Sequence, residues 1–241
     1  MNILKRYASK IFNSWTEENL ETVLEFIEPK KNSSLLDLGC GDGKLTLLFA
    51  NKARASKIVG VDGLKTTIKG VKTIKSNLNK ELPFPDETFD VVISHYSIEH
   101  LYNSGEFIFE IHRVLKKGAY VVIATDNLSS WPNIISLILG YQPFSTTMGV
   151  GRNALGNPLA LRINMKEVGE SLFTLNWRKS GEFSHNKVMA YRMLIDAFKE
   201  YGFSIEEIKG IGYFLFYGRI SKALSHLDRR HSHLIVIKVR K

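Results

Sequence analysis

Hydrophobic and polar residues follow two alternating patterns through the first half of the chain. Short apolar runs, typical of buried strands, are separated by segments in which apolar residues recur every three or four positions, as on one face of a helix. The runs are Ser34–Leu38, Lys57–Asp62, Phe89–His95 and Ala119–Thr125. Strands that alternate with amphipathic helices predict βαβ units, and therefore an α/β fold with a mostly parallel sheet.

The helical pattern predicts five helices, over 16–27, 44–52, 64–76, 104–117 and 187–201. Pro29 is expected to end the first. In the second, Leu48 is expected to face inward with its apolar neighbours. Ser104 is expected to cap the fourth helix, and Gly118 to end it in a left-handed conformation.

The pattern changes after Asn127. The stretch Leu128–Asn186 has scattered glycine, proline and asparagine and one short apolar segment, Ile134–Leu139. We interpret Leu128–Asn186 as an inserted cap over the sheet and refer to it as the cap segment. Two further strands are predicted, at Phe203–Ile211 and His233–Arg240. The chain is thus expected to form a single domain, divided into an N-terminal helical segment (1–31), a core (32–126), the cap segment (128–186) and a C-terminal part that completes the sheet (187–241).

The composition fits one globular domain with a sizeable core. The chain has 241 residues, of which 44% are hydrophobic and 24% charged, both ordinary globular values. It contains no apolar run long enough to span a bilayer, and its basic start, MNILKRYASKIF, does not resemble a signal peptide. We therefore expect a cytoplasmic protein. The single cysteine, Cys40, excludes an internal disulfide and disfavours a thiolate zinc site, and no metal is expected.

The formal net charge of +9 suggests affinity for anions such as nucleic acid, an acidic membrane surface or a phosphorylated substrate. An ordinary lysine-rich surface would give the same value. Only Arg219–Lys241 is densely basic.

Three glycines in the stretch LLDLGCGDGK follow the first predicted strand, at Gly39, Gly41 and Gly43. In open α/β sheets, ligands bind beyond the carboxyl ends of the strands, where glycine lets the backbone approach them. A phosphate loop would need Ser or Thr where this chain has Leu45, and a dinucleotide loop would need its third glycine one position later. Neither pattern fits.

The motif DLGCGDG resembles the signature of class I S-adenosylmethionine-dependent methyltransferases. Further matches follow in order: Asp62 in VGVDGL, then LPFPDETFDVVISHYSIEHL, then FIFEIHRVLKKGAYVVIAT. The resemblance covers about residues 32–126, and within the family it is to small-molecule and quinone-type enzymes, the methyltransferase type 11 group. A weaker continuation, including YGFSIEEIKGIGYF, is similar to bacterial and archaeal methyltransferases of glycan or lipid biosynthesis. The resemblance implies a doubly wound, Rossmann-like sheet of seven strands with helices on both faces, and S-adenosyl-L-methionine as cofactor.

The resemblance also implies which residues contact the cofactor. Those that would line its methionine part are Asp37, Gly39, Cys40 and Gly41. Asp62 and Gly63 would take the ribose, because one carboxylate can accept hydrogen bonds from both hydroxyls, and Leu64 would lie against the adenine. Where the family often has an Asp on the adenine amino group, this chain has Asn77, followed by Leu78.

The third strand ends in Ser94, His95 and Tyr96, which would face the sulfonium or the substrate. Methyl transfer to oxygen or nitrogen requires removal of a proton. His95 is the predicted base, since its ordinary pKa suits the task, although it could equally only contact the cofactor. Asp126, at the end of the next strand, is the alternative base. Cys40 is expected to fill space rather than act as a nucleophile.

The cap segment is expected to select the substrate. Its predicted substrate contacts are Trp131 and Tyr141, in addition to Tyr96 at the end of the third strand. Phe144, Trp177 and His185 offer further aromatic or polar surface. These side chains could instead form a small satellite core. The apolar stretch WPNIISLILGYQPF is compatible with contact to a lipid or to an acidic membrane surface.

Three functional interpretations remain. The favoured one is a methyltransferase for a small-molecule, lipid or glycan acceptor, methylating oxygen or nitrogen rather than carbon, with peripheral contact to an anionic membrane. The second is an RNA or other nucleic-acid methyltransferase, which the net charge favours, but the sequence contains no flipped-adenine loop of the N-P-P-[YF] type and no catalytic cysteine pair. The third is a cofactor-binding partner protein without transferase activity.

Overall fold

The computed structural model describes residues 3–146, 148–150, 153–157 and 185–241. Within these ranges the strands are β1 (Ser33–Leu38), β2 (Ala55–Asp62), β3 (Lys72–Lys75), β4 (Phe89–His95), β5 (Leu115–Asp126), β6 (Met148–Val150), β7 (Asn153–Leu155), β8 (Ser204–Ile211) and β9 (Leu234–Arg240). The α-helices are α1 (Ile3–Phe26), α2 (Lys44–Ala53), α3 (Ser104–Val114), α4 (Trp131–Ile138), α5 (Tyr191–Glu200) and α6 (Gly218–Leu227).

The main sheet has seven strands in the order β3-β2-β1-β4-β5-β9-β8. The first five strands in this order are mutually parallel, whereas β9 runs antiparallel to both of its neighbours, β5 and β8. The strand order reverses between β1 and β4. This topology confirms the predicted seven-stranded, mostly parallel, Rossmann-like sheet, and it places the expected ligand crevice beyond the carboxyl ends of β1 and β4.

Helices pack on both faces of the sheet, as expected. On one face, α1 and α2 contribute Phe26 and Phe49 to a buried layer against the sheet. On the other, α3 and α5 contribute Phe107 and Phe198 to a second layer. Side chains of one strand point alternately into these two layers, so the central strands read as continuous apolar runs.

The prediction of a helix over 64–76 is wrong. Residues 64–71 form no regular element, and the structure turns through Gly70 (φ 83°) into β3. The parallel ladder runs from Val59 beside Lys72 to Asp62 beside Lys75. Pairing with β2 therefore overrides the helical spacing of a largely polar segment, which becomes the edge strand.

The expected boundaries of α3 and β5 also need correction. Asn103, not Ser104, caps α3, accepting the N–H of Glu106 at 3.3 Å. The helix ends at Val114, and Gly118 (φ 73°) lies within β5 instead of ending the helix. The strand starts early because Leu115 pairs with the first residue of β4, and the register then shifts.

Four helices differ from expectation. The first begins at Ile3, well before Thr16, and α5 begins at Tyr191 instead of Lys187. In α2, Leu48 is exposed, while the smaller Thr46 takes a buried position. Helix α6 lies in the basic C-terminal segment and was not predicted at all.

In the cap segment, α4 is followed by a 3-10 helix, Phe144–Thr146, and by the antiparallel pair β6–β7. Within the cap segment, residues 147, 151–152 and 158–184 lie outside the described residues, and Trp177 is among them. Among the helices that the structure describes, none is long and apolar enough to cross a membrane.

Candidate active site

The turn after β1 needs glycine at its first position for two reasons. Gly39 has φ 86°, and a Cβ added there would lie 1.9 Å from Oγ of Ser97. Ser97 is held in place because its hydroxyl donates to the carbonyl of Leu38 at 3.0 Å. The N–H of Gly39 donates to the carbonyl of Val61 at 2.7 Å, which ties the turn to β2.

Asp62 links this turn to the loop after β2. Its Oδ2 accepts the N–H of Gly41 at 3.0 Å and its Oδ1 accepts the N–H of Leu64 at 2.9 Å. Cβ atoms added at Gly41 (φ 51°) or at Gly63 would meet nothing within 4 Å. The carboxylate thus lies between two glycines that border open space, and its oxygens keep lone pairs for further donors.

Two further residues of the turn are buried around this carboxylate. Asp37 accepts the hydroxyl of Thr46 at 2.5 Å, and burial together with the charge of Asp62 raises the pKa of Asp37 to about 7. Burial, assisted by Asp37 and Asp62, raises the pKa of the Cys40 thiol to about 12. Cys40 also packs closely on Gly60, where an added Cβ would come within 2.8 Å of its sulfur. A protonated, packed thiol agrees with the expectation that Cys40 fills space.

Asn77 and Leu78 are brought beside Asp62 by the backbone. The N–H of Ser76 donates to the carbonyl of Asp62 at 3.0 Å. Leu78 is buried, whereas the exposed Asn77 uses its side-chain oxygen to accept both the N–H and the side-chain amide of Asn79, each at 3.0 Å. Binding of an adenine amino group by Asn77 stays a prediction, and it would require sharing or replacing these bonds.

The carboxyl end of β4 carries the three predicted residues in different settings. The Ser94 hydroxyl is buried and has no hydrogen-bond partner among the described residues. Nε2 of His95 lies 2.9 Å from Oδ1 of Asn19 on α1, and burial lowers the pKa of His95 to about 4. Tyr96 follows with φ 55° and packs edge-on against the His95 ring at 4.4 Å between centroids.

Asp126 belongs to a second group of ionisable side chains, at the end of β5. Its Oδ2 lies 3.1 Å from Nδ1 of His185. Burial and the charge of Asp126 raise the pKa of Glu99, a fully buried residue of the 3-10 helix Ile98–His100. Burial of His185 would lower its pKa, but the hydrogen bond to Asp126 and the charges of Asp126 and Glu99 outweigh this effect and raise it. Sequence reasoning did not single out Glu99, whose only local signal is the dipeptide Glu-His after the third strand.

The two predicted substrate contacts in the cap segment lie in different environments. The indole N–H of Trp131 donates to the hydroxyl of Tyr213 at 2.8 Å and to the carboxylate of Asp228 at 3.1 Å, and its ring packs against His231. Tyr141 is exposed. Substrate contact and the satellite-core alternative both stay predictions for these residues.

The chain is similar to known methyltransferases in sequence. Residues 36–123 match the family model described as a methyltransferase domain. Over 209 residues the chain is 28% identical to a protein of Mycolicibacterium smegmatis described as a probable S-adenosylmethionine-dependent methyltransferase, an alignment that covers 84% of this chain and 61% of that protein. Residues 36–123 form a methyltransferase domain similar to those of S-adenosylmethionine-dependent enzymes. The chain spans less than two thirds of the length of that relative.

Solved structures with the same fold are also similar to this chain. An S-adenosylmethionine-dependent methyltransferase from Mesorhizobium loti superposes with a TM-score of 0.59 at 16% identity, covering 92% of this chain and 96% of that one. A chain of the Haloferax volcanii complex between the Trm112 methyltransferase activator and its proposed methyltransferase gives a TM-score of 0.59 at 13% identity, covering 98% and 93%. At these identities the likeness concerns the fold.

The residues of the turn after β1 suit S-adenosyl-L-methionine, the cofactor that the similar proteins are named for. Gly41 and Gly63 leave open the space that side chains would fill, and the buried Ser94 hydroxyl has an unused hydrogen-bonding capacity among the described residues. Asp62 stands between the two glycines with lone pairs to spare for a ribose diol.

Proposed function

We propose that this chain binds S-adenosyl-L-methionine and transfers its methyl group to an oxygen or nitrogen atom of a small-molecule, lipid or glycan acceptor. The observation that carries the proposal is the position of Asp62, which is anchored by the N–H groups of Gly41 and Leu64 beside open space at two glycines. An anchored carboxylate needs little reorganisation when it accepts bonds from a ligand, which favours binding.

Each part of the cofactor has a proposed set of contacts. Asp37, Gly39, Cys40 and Gly41 line the methionine part, Asp62 and Gly63 hold the ribose, and the groups that border the adenine are Leu64, Asn77 and Leu78. Ser94 at the end of β4 supplies a buried hydroxyl toward the same crevice. When bound, the cofactor supplies a methyl carbon that is already activated by its sulfonium. The protein then has to align the acceptor and to accept its proton.

Two residues are proposed as proton acceptor. His95 is neutral at physiological pH, and its Nε2 points at Asn19, so Nδ1 would have to accept the proton. The low pKa of His95 gives such a transfer little driving force. Asp126 is preferred on geometry and not on basicity: its carboxylate lies at the end of β5, held by His185, whereas His95 is already paired with Asn19. Comparing Asp126→Asn with His95→Gln in single-turnover methyl transfer distinguishes them: the variant of the true acceptor loses the chemical step while cofactor affinity is kept.

Calorimetry with S-adenosyl-L-methionine tests the cofactor part of the proposal. We expect one site per chain, and no heat of binding at millimolar cofactor would overturn it. A labelled-methyl assay across extracted lipids, glycans and RNA then tests the acceptor class. Label in RNA would favour the nucleic-acid alternative, and cofactor binding without any labelled product would favour a non-catalytic partner protein.

A second proposal concerns peripheral contact with an anionic membrane. It is supported by three exposed apolar side chains at the end of α4, Leu137, Ile138 and Leu139, and by the net charge of +9. Apolar side chains together with basic surface favour binding at an acidic interface. Liposomes that contain anionic lipid should retain the protein at low salt, and failure to retain it would remove this proposal without affecting the first.

A further inference from the structure

Three side chains that the cofactor proposal does not use converge next to Asp126. Glu99 and His100 come from the 3-10 helix after β4, and His185 comes from the far end of the cap segment. Each can offer one nitrogen or carboxylate oxygen, and these three atoms all lie within 4.8 Å of one another. Metal–ligand bonds to nitrogen and oxygen are about 2.0–2.2 Å long, so two ligand atoms of one cation lie at most about 4.4 Å apart. The three atoms are therefore close to the required spacing, and small side-chain rotations would let one cation contact all of them.

Glu99 directs an unused oxygen into this group. The side chain is completely buried, and its Oε2 accepts the hydroxyl of Thr125 at 2.9 Å. Its Oε1 is also buried but has no hydrogen-bond partner among the described residues. A buried carboxyl group with an oxygen that lacks a partner is costly, and a cation that takes the place of its proton removes that cost.

His185 is oriented as metal-binding histidines usually are. Its Nδ1 lies 2.6 Å from the carbonyl oxygen of Ser145 and 3.1 Å from Oδ2 of Asp126. Both neighbours are acceptors, so Nδ1 keeps its proton, and Nε2 is the nitrogen left for a cation, which would displace the proton that Nε2 holds when His185 is charged. A metal-binding histidine typically donates its other ring N–H to a carboxylate or a backbone carbonyl in this way.

The backbone fixes the distance between the two halves of the group. The N–H groups of Asn186 and Lys187 both donate to the carbonyl of Glu99, at 2.8 and 3.0 Å. The side-chain amide of Asn186 donates to the carbonyl of His100 at 2.7 Å. As a result, the rings of His100 and His185 meet edge to face, with centroids 4.9 Å apart. The ligands are thus held together without a cation, which lowers the entropic cost of binding one.

We propose that Glu99, His100 and His185 form a binding site for a divalent transition-metal cation, with Zn²⁺ as the best match. Two imidazoles and one carboxylate are a common ligand set for zinc, and three protein ligands leave a position open for water or another oxygen ligand. Asp126 acts in this site as the outer partner that orients His185. The open position would lie at the end of β5, on the side where the acceptor is expected; this placement, unlike the site itself, rests on the proposed function.

The test uses the full chain, stripped with a chelator and then titrated with Zn²⁺ alone by calorimetry and equilibrium dialysis. We expect one tightly bound equivalent per chain. Glu99→Gln and His185→Gln should weaken this binding by about 100-fold or more, and Asp126→Asn by about 10- to 100-fold, as for outer partners in general. His226→Gln, on the exposed side of α6, is the matched control and should bind as the unchanged chain does.

A second measurement separates loss of the site from loss of the fold. One equivalent of Zn²⁺ should raise the Tm of the unchanged chain and of His226→Gln, because a ligand of the folded state stabilises it, but not that of Glu99→Gln or His185→Gln. Absence of stoichiometric Zn²⁺, or equal affinity and equal Tm shift in all variants, would overturn the proposal. Neither readout involves the cofactor, so failure of the metal site and failure of the methyltransferase proposal are distinguishable.

Discussion

The carboxylate of Asp62 accepts the backbone N–H of Gly41 at 3.0 Å, which joins the turns after β1 and β2 across 21 positions of the sequence. A second bond, from the N–H of Leu64 at 2.9 Å, fixes the other oxygen. The proposed cofactor pocket therefore depends on one side chain that links two turns and is also the proposed ribose ligand.

Replacing Asp62 with Asn should weaken S-adenosyl-L-methionine binding about 10- to 100-fold, since a charged hydrogen-bond acceptor contributes about 1.5–3 kcal/mol. The amide would also direct its NH₂ group toward one of the two backbone N–H groups. Calorimetry measures the change. Asp42→Asn is the control from the same turn, because Asp42 interacts only locally with Lys44 and is largely exposed; equal loss in both variants would contradict the role given to Asp62.

Two glycines of the turn should respond differently to alanine. Gly39→Ala forces a left-handed conformation and a contact of 1.9 Å with Ser97, so we expect a loss of about 2–4 kcal/mol in the free energy of unfolding. Gly41→Ala meets no atom within 4 Å and should cost only about 1–2 kcal/mol, while its methyl group enters the space assigned to the cofactor. Urea unfolding and cofactor titration, run on both variants, separate the effects. Equal stability of the two variants would refute this prediction.

His95 should make the protein less stable at acidic pH. Burial lowers its pKa from 6.5 to about 4 in the folded state. Between these pH values the unfolded chain binds more protons, so the free energy of unfolding falls as the pH drops from 6.5 toward 4. The variant His95→Gln can still donate to Asn19 but does not titrate. Over this pH range its free energy of unfolding should therefore fall by roughly 1–3 kcal/mol less than that of the unchanged chain.

The free energy of unfolding of both proteins is measured by chemical denaturation at a series of pH values from 7.5 to 4. The difference between the two pH profiles isolates the contribution of His95, because all other titrating groups are shared. Parallel curves would show that His95 does not titrate with a lowered pKa.

Arg113 should be irreplaceable by Lys. Its guanidinium bonds both oxygens of the buried Glu110 at 2.7 Å each and also the carbonyls of Leu82 and Phe84 at 3.0 and 2.7 Å. Lysine keeps the charge but cannot make these bonds together, so Arg113→Lys should lower the free energy of unfolding by about 2–3 kcal/mol. The exposed Arg219→Lys on α6 serves as control, and an equally small effect in both would show that the network does not stabilise the fold.

Most of the sheet could be predicted because its central strands are buried on both faces. Val91, Val92 and Ile93, for example, are apolar whichever layer they face, and the run itself marks a strand. Strand β3 could not be predicted this way, since Lys-Thr-Ile-Lys is polar and becomes a strand only through pairing with β2. Helix α6 escaped prediction because the charges of its exposed face dominate the segment.

In the candidate site, too, local features could be predicted and long-range contacts could not. Gly39, Gly41 and Asp62 could be found because they belong to short motifs with a fixed spacing in the sequence, a turn after one strand and the end of the next. The association of Glu99 with His185 could not, because these residues are 86 positions apart and meet only through the backbone bonds between residues 186–187 and Glu99. Local patterns carry no information about such a contact.

Strand β9 fills the gap between β5 and β8 with ladders on both sides, from Leu234 to Arg240. During synthesis on the ribosome, β5 must therefore wait with one edge unpaired until residues 234–240 have emerged. Contacts between elements so distant in sequence form slowly, and the unpaired edge invites association with other chains in the meantime. We therefore expect the nascent protein to depend more on chaperones than a sheet made only of the parallel strands β1–β5 would.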